Sequence, residues 1–415
     1  MSSVKLTRDE MKLLVVLAGI QFMHIVDFMI IMPLGPVLMR ELAIRPQQFS
    51  FLVSAYTFFA GGTGLFAAFF LDRFDRRKSL LFFFSGFTLG TLTCALADSY
   101  QTLLAARALT GAFGGVLNAQ VYSIIGDVIE PHKRGRATGV IMGAFSLASI
   151  FGVPIGLWLA NLGNWHTPLF VLASIALPMI FFAARVIPAL RSHIIEDASP
   201  PWEFLRTVPF RPRPRLALLL MISMVLGQFS VIPFLSPSLV TNAGLTESQL
   251  PLIYLIGGFV SIFSSPIVGR FCDRHGPIRV LLVTAPLSMV PFLMITNLNL
   301  VPLFIAIFVS ALFFVFMGAR MVPTMTIVTG SVLPHNRGAF MSLTNAVQQL
   351  SAASASLIAG YVITMGSDGR LENYHLVGFF AVVLTLVSVS VAYALRHEPV
   401  QVLTYEARDM KVREV

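Results

Sequence analysis

The chain consists of long apolar runs broken by short polar stretches. Twelve runs stand out, near residues 13–38, 49–70, 79–97, 101–129, 137–160, 167–187, 216–240, 249–269, 280–297, 301–330, 338–364 and 374–395. As helices rising about 1.5 Å per residue, each is long enough to cross about 30 Å of hydrocarbon. In lipid the backbone must bond to itself, which leaves only helices and closed barrels. Continuous apolar runs lack the alternating pattern of a barrel strand. The predicted fold is therefore an all-α membrane protein with twelve transmembrane helices. The polar stretch before the first run is short. That run is too long for a signal peptide and shows no small-residue cleavage site, so it reads as a retained first helix.

The longest internal polar stretch divides the runs six and six. It carries Arg191, Arg206, Arg211, Arg213 and Arg215 among Pro200, Pro201, Pro209, Pro212 and Pro214. Proline interrupts helices, and the basic side chains hold the segment at a membrane surface, so it reads as a linker. The expected organisation is a six-helix bundle over 1–187, a cytoplasmic linker over 188–215, a second six-helix bundle over 216–395 and a cytoplasmic tail over 396–415. The halves echo each other at their starts. Gln21-Phe22 is followed by Pro33 and Pro36, and Gln228-Phe229 by Pro233 and Pro237. Such repetition is the mark of a transporter whose two pseudo-symmetric halves surround a central site.

Composition supports the membrane reading, and charge gives it an orientation. The chain is 56% hydrophobic and 12% charged, too little charge to cover a soluble protein of 415 residues. The net charge of +9 does not point to nucleic acid, because its placement is one-sided. Of 29 Lys and Arg, Arg40, Arg45 and Arg370 fall on one side, Arg107 and Arg320 fall inside runs, and the remaining 24 fall on the other side. By the positive-inside rule both termini are expected in the cytoplasm, with the chain a multi-pass protein of a bacterial-type inner membrane. Cys94 and Cys272, the second assigned to a loop, give neither a disulfide framework nor metal-ligand spacing.

Two loops repeat one signature about 200 residues apart. The first reads Ala68-Phe69-Phe70-Leu71-Asp72-Arg73-Phe74-Asp75-Arg76-Arg77-Lys78, and the second Gly269-Arg270-Phe271-Cys272-Asp273-Arg274-His275-Gly276-Pro277-Ile278-Arg279. The acid of such a loop can cap a neighbouring helix, and its arginines can pair with a second acid, for which Asp127 is the candidate. The pattern resembles the signature of the major facilitator superfamily. Asp72, Arg73, Arg76 and Arg77 match in the first copy, where Ala68 and Asp75 replace glycines, and Gly269, Asp273, Arg274 and Gly276 match in the second. The resemblance implies the major facilitator fold and a conformational latch made of these residues with Asp127. Arg107-Ala108-Leu109-Thr110-Gly111 is similar to an arginine-x-x-x-glycine motif of the same family, for which assistance to proton transfer is implied; snorkelling of Arg107 to the interface is the alternative. Ala148-Ser149-Ile150-Phe151-Gly152-Val153-Pro154-Ile155-Gly156 resembles the family's antiporter motif, matched at Gly152 and Gly156, with Ala148 for the first glycine and Pro154 one residue late. Stretches around Arg320, Arg337 and Gln348 resemble the arabinose-efflux-like permeases of the drug:proton antiporter branch.

Of 20 acidic residues, only Asp27 falls near the middle of a run. A charge there costs about 2.5–3.5 kcal/mol even on the gentlest scale, so it marks a functional candidate. His24 lies one turn earlier on the same face. With Asp27 as carrier, His24 as modulator and Arg107 assisting, a proton site is expected; a fixed contact between Asp27 and an arginine of another helix is the structural alternative. By resemblance the first, fourth, seventh and tenth helices line a cavity, which would set Arg320 opposite Asp27, either as its counter-ion or as an anchor for an anionic substrate. Gln21, Asn118, Gln120, Tyr122, Gln228, Asn345, Gln348 and Gln349 are further polar groups within runs, suited to neutral polar or zwitterionic solutes. The leading reading is a proton-coupled antiporter exporting small molecules. The other transport reading is a uniporter or importer of an organic anion or metal chelate held by Arg320. No nucleotide loop, nucleophile motif or metal cluster appears, so no enzyme, cofactor or metal site is expected. The expected partners are a small-molecule substrate, protons and the lipid bilayer, with a functional monomer.

Overall fold

The computed structural model describes residues 6–190, 207–333 and 337–398, without the side chains of Ala68, Phe69 and Asp72. Most of the expected linker and tail, residues 191–206 and 399–415, therefore lie outside the described residues. The first half contains α1 (Arg8–Ile30), α2 (Gly35–Glu41), α3 (Pro46–Phe70), α4 (Arg76–Ala95), α5 (Tyr100–Val128), α6 (Arg134–Leu147), α7 (Val153–Leu162) and α8 (Thr167–Val186). The second contains α9 (Pro212–Val231), α10 (Leu235–Thr241), α11 (Leu250–His275), α12 (Pro277–Thr296), α13 (Leu303–Thr329), α14 (Arg337–Val362) and α15 (Tyr374–His397). A short hairpin of β1 (Thr364–Met365) and β2 (Leu371–Glu372) precedes α15.

Among the described residues, eleven stretches are long and apolar enough to cross a membrane. The twelfth expected span is α14, 26 residues long but bearing Asn345, Gln348, Gln349 and several serines. It lies along α3, which shields part of this polar face from lipid. Cys272, assigned to a loop by sequence, is in the last turn of α11. The proline echo becomes a shared local structure. The first span breaks after Ile30 and resumes as α2, with Pro36 in its first turn. The seventh breaks after Val231, makes one tight turn at Ile232–Phe234 and resumes as α10. Proline lacks the amide that the preceding turn needs, so each helix restarts rather than continues.

Helices α1 and α3–α8 pack on one another, as do α9 and α11–α15. Two related seams join the sets: α3 runs along α14, and α7 with the turn before it runs along α11. The core shows how the seams close. At one end it is continuous across both halves, with Ile31, Leu34, Phe49 and Leu52 packed in one cluster with Phe234, Leu239, Tyr254 and Ile363. There Phe49 meets Phe234 edge-on at 5.7 Å, the Ser356 hydroxyl donates to the Ser50 carbonyl at 3.3 Å, and Arg40 pairs with Glu247. Glu247 accepting from it pushes the Arg40 guanidinium up. At the other end the core splits, among the described residues, into clusters that each belong to one half, two of them in the first and three in the second. The protein is thus sealed at the end holding Arg40 and parted at the end holding the repeated loops.

Gly360 is a keystone of the seal. A Cβ there would overlap the Ser50 side chain, so the helices meet only because the position has none. Gly360→Val is expected to wedge α14 from α3. The readout is a cysteine reporter at the fully buried Ala359: it should react with a membrane-impermeant maleimide in the valine variant and stay protected in its parent.

Candidate functional site

Asp27 projects from the end of α1 into the first half and is fully buried. Its Oδ2 accepts from Arg107 Nη1 at 2.9 Å, and its Oδ1 from the Thr91 hydroxyl at 2.9 Å. Arg107 is 1% exposed, which excludes the snorkelling alternative: its guanidinium turns inward to a carboxylate instead of outward to water. It also stacks on the Tyr56 ring, 4.4 Å from the centroid. In a buried pair of this kind each charge offsets part of the other's desolvation; here Thr91 fills the second carboxylate oxygen, while Arg107 Nε is left buried without a partner. The counter-ion of Asp27 is therefore Arg107, which is the contact with an arginine of another helix expected as the structural alternative; the Asp27–Arg320 pairing, one of the two readings of Arg320, is not formed.

Local sequence explains the geometry. One turn after Arg107, Gly111 lies against the backbone of Tyr56, where a Cβ would collide. The arginine-x-x-x-glycine spacing thus brings α3 close enough for the Tyr56 ring to reach the guanidinium. On the other side of α1, a Cβ at Gly152 would strike Val26, and one at Gly156 would meet Ile30 Cδ1 at 2.7 Å. Residues Ala148–Gly152 form a π turn just before Pro154, the widened turn expected where proline withholds an amide. The antiporter-like glycines therefore seat α1 immediately beside Asp27. Gly152→Val is expected to overpack this contact and cost about 1–3 kcal/mol, read as a lower melting temperature in micelles.

His24 does not touch Asp27. Its ring lies 5.8 Å from Phe87 and 6.5 Å from Tyr56, and both ring nitrogens are buried without a hydrogen-bond partner. The Tyr56 hydroxyl is likewise unpartnered. Gln21 Nε2 donates to Asn118 Oδ1 at 3.1 Å, leaving Gln21 Oε1 free, and Gln120 is wholly buried with both amide atoms unpartnered. Tyr122 is 38% exposed, while Gln228, Asn345, Gln348 and Gln349 are half-buried on α9 and α14. An aromatic line connects the ion pair to the other half: Arg107 to Tyr56, Tyr56 to Phe28 at 5.3 Å, and Phe28 to Phe229 of α9 at 6.2 Å.

Arg320 is 1% exposed but points into the second half. Its Nη1 donates to the Thr385 hydroxyl at 3.2 Å, its Nη2 to the Met224 carbonyl at 3.4 Å, and it sits over Phe292 at 4.5 Å. Wrapped by α9, α12 and α15, it does not face Asp27, and among the described residues it forms no ion pair. The anion-anchor reading thus loses the open cavity it required in this conformation.

At the parted end, Arg76 Nε pairs with Asp127 Oδ2 at 3.2 Å, as expected from the loop signature. Arg77 bonds to the Ala184 carbonyl. The helix cap comes from Asp75, in a glycine position of the family pattern, whose carboxylate accepts from the amides of Arg77 and Lys78. The Asp72 side chain lies outside the described residues. Arg73, Asp273 and Arg274 are exposed, and a Cβ at Gly269 would meet nothing within 4 Å. The Arg76–Asp127 pair lies within the first half. Sequence reasoning missed Tyr56 and Thr91. Tyr56 is a single tyrosine in a phenylalanine-rich run that also holds Ser50, Ser54 and Thr57, and Thr91 also bonds to the Phe87 carbonyl at 3.1 Å, the ordinary fate of a helix threonine.

Residues 17–262 and 217–410 match the Major Facilitator Superfamily, and the chain belongs to that family. The uncharacterized transporter YceJ of Bacillus subtilis is 26% identical over 387 residues, covering 90% of this chain and 93% of that protein. The chloramphenicol resistance protein of Streptomyces lividans is 27% identical over 71% of this chain and 75% of its own. The purine ribonucleoside efflux pump NepI of Shigella sonnei is 25% identical over 63% of this chain and 65% of its own. Among solved structures, a bacterial homolog of the human lysosomal transporter Spinster, inward-facing and occupied, superposes with a TM-score of 0.74 at 15% identity, covering 94% of this chain and 98% of that one. The nucleoside transporter NupG superposes at 0.69 and 13% identity, covering 93% and 98%. The chain is a multi-pass membrane transporter, with efflux proteins among its relatives, and not an enzyme.

Proposed function

We propose that the chain is a proton-coupled antiporter that exports small neutral molecules by alternating access, with two six-helix halves joined by the 188–215 linker rocking about a central site. The observation that carries this reading is the Asp27–Arg107 pair, a carboxylate and a guanidinium 2.9 Å apart and out of contact with water. Proton uptake by Asp27 removes the negative member, frees Arg107 and loosens the Tyr56 ring stacked on it. Through Phe28 and Phe229 that ring adjoins the other half, so a local charge change reaches the seam.

The side rich in Lys and Arg is taken as cytoplasmic, which puts both termini inside and makes this conformation open to the cytoplasm, where an exporter loads. The unpartnered Gln21 Oε1, His24 nitrogens and Tyr56 hydroxyl offer donors and acceptors without net charge. Gln228, Asn345 and Gln348 extend this polar set in the second half. An uncharged aromatic solute with several hydrogen-bonding groups fits, in line with relatives named for chloramphenicol resistance and purine ribonucleoside efflux.

The test is proteoliposomes loaded with a pH dye and given chloramphenicol, a purine ribonucleoside or a matched organic anion. Proton movement driven by a neutral solute is expected. Solute counterflow without any proton signal would refute the coupling, and flux confined to the anion would refute the substrate class.

A further inference from the structure

At the parted end of the second half lies a basic cavity that the transport reading does not use. Its volume is about 480 Å³, and Arg213, His275, Arg279, Thr326, Gly330 and Arg396 are among its walls. These residues come from four elements: the start of α9, the junction of α11 and α12, the end of α13 and the last turn of α15. Among the described residues no carboxylate lines the cavity itself, although the Glu398 side chain acts electrostatically on Arg213 from beside it. Arg213 Nη1 is held by the Glu398 carbonyl, while its Nε is enclosed without a partner. Helix α12 opens here with Pro277 and no side-chain cap, so the amides of Ile278 and Arg279, both lining residues, begin a twenty-residue helix at its positive pole.

We infer that this cavity is a binding site for a phosphate group. Three guanidiniums from separate helices converge on one space, and guanidinium forks match phosphate oxygens in pairs. An uncapped helix start adds amide donors suited to the same ligand. The position, at the ends of four membrane helices, suits an anionic phospholipid headgroup whose acyl chains lie along the bundle; basic pockets between helix ends recognise such lipids. Free phosphate shares the chemistry and differs only in source. Filling the site would tie α9, α12, α13 and α15 together at the end where the two halves stand apart.

The test uses the full-length protein in detergent, offered equal amounts of phosphatidylglycerol and phosphatidylcholine and weighed by native mass spectrometry. Preferential retention of phosphatidylglycerol is expected, falling about fivefold for each arginine replaced in Arg213→Gln, Arg279→Gln and Arg396→Gln. The matching lysine variants should keep most of the preference. A second arm follows melting temperature with inorganic phosphate against chloride. Stabilisation by phosphate without lipid preference, lost in the glutamine variants, would assign the site to a soluble phosphate. Should the triple variant fail to fold, the exposed Arg279→Gln alone gives the reading. Equal retention of both lipids together with phosphate-independent melting overturns the site, as does a phosphatidylglycerol preference that survives the glutamine changes.

Discussion

Asp27→Asn abolishes substrate-driven proton movement in proteoliposomes while the protein still folds and inserts; that is the expected result with the largest functional effect. The amide keeps the shape of the carboxyl; its one oxygen can accept from Arg107 and its NH2 can donate to the Thr91 hydroxyl oxygen, in place of the two bonds that Asp27 accepts at 2.9 Å each. What it cannot do is exchange a proton. Solute counterflow, which needs only rocking of the halves, should persist at a reduced rate. Proton-driven transport retained at the wild-type level would remove Asp27 from the coupling and leave it a structural partner of Arg107.

Arg107→Leu should produce the largest loss of stability. It strands a fully buried carboxylate whose ion-pair partner is gone, and breaking one side of such a pair costs about 3–5 kcal/mol. The double change Asp27→Asn with Arg107→Leu should melt higher than Arg107→Leu alone, because no unpaired charge remains inside. That ordering distinguishes electrostatics from packing: if the guanidinium mattered only as a stack on Tyr56, the two variants would melt together. Thermal unfolding in one detergent, followed by intrinsic fluorescence, reads all three variants.

The spans were legible because lipid demands continuous apolar length, a requirement written directly into the runs. The echo of Pro33 and Pro36 in Pro233 and Pro237 was legible, but the breaks after Ile30 and Val231 were not, since 13–38 and 216–240 each read as one continuous apolar run. Asp27 stood out because charge is rare at such depth. Its partner did not, because two arginines lie within spans and a run of letters does not reveal which way a side chain turns. Depth would have separated them. Asp27 lies one turn before α1 breaks; Arg107 lies about 10 Å into α5 from that same side, and Arg320 about 26 Å into α13. Tyr56, Thr91 and the cap from Asp75 depend on helix contacts with no sequence mark beyond their residue types. The polar set of Gln228, Asn345 and Gln348 was found by type, yet whether its members face a common space is set by helix rotation, which apolar periodicity fixes poorly when a helix is apolar all round.

Arg320 carries an electrical consequence. Its guanidinium is buried within the second half and, among the described residues, no acid pairs with it. Moving one elementary charge across 100 mV involves about 2.3 kcal/mol. A rocking step that carries Arg320 through a third of the field thus involves about 0.8 kcal/mol, roughly a fourfold change in the balance between the two orientations. If the halves rock as proposed, the membrane voltage would bias the resting posture of the transporter as well as drive whatever ions it carries, so that an energised cell and a depolarised one would hold it at different set points.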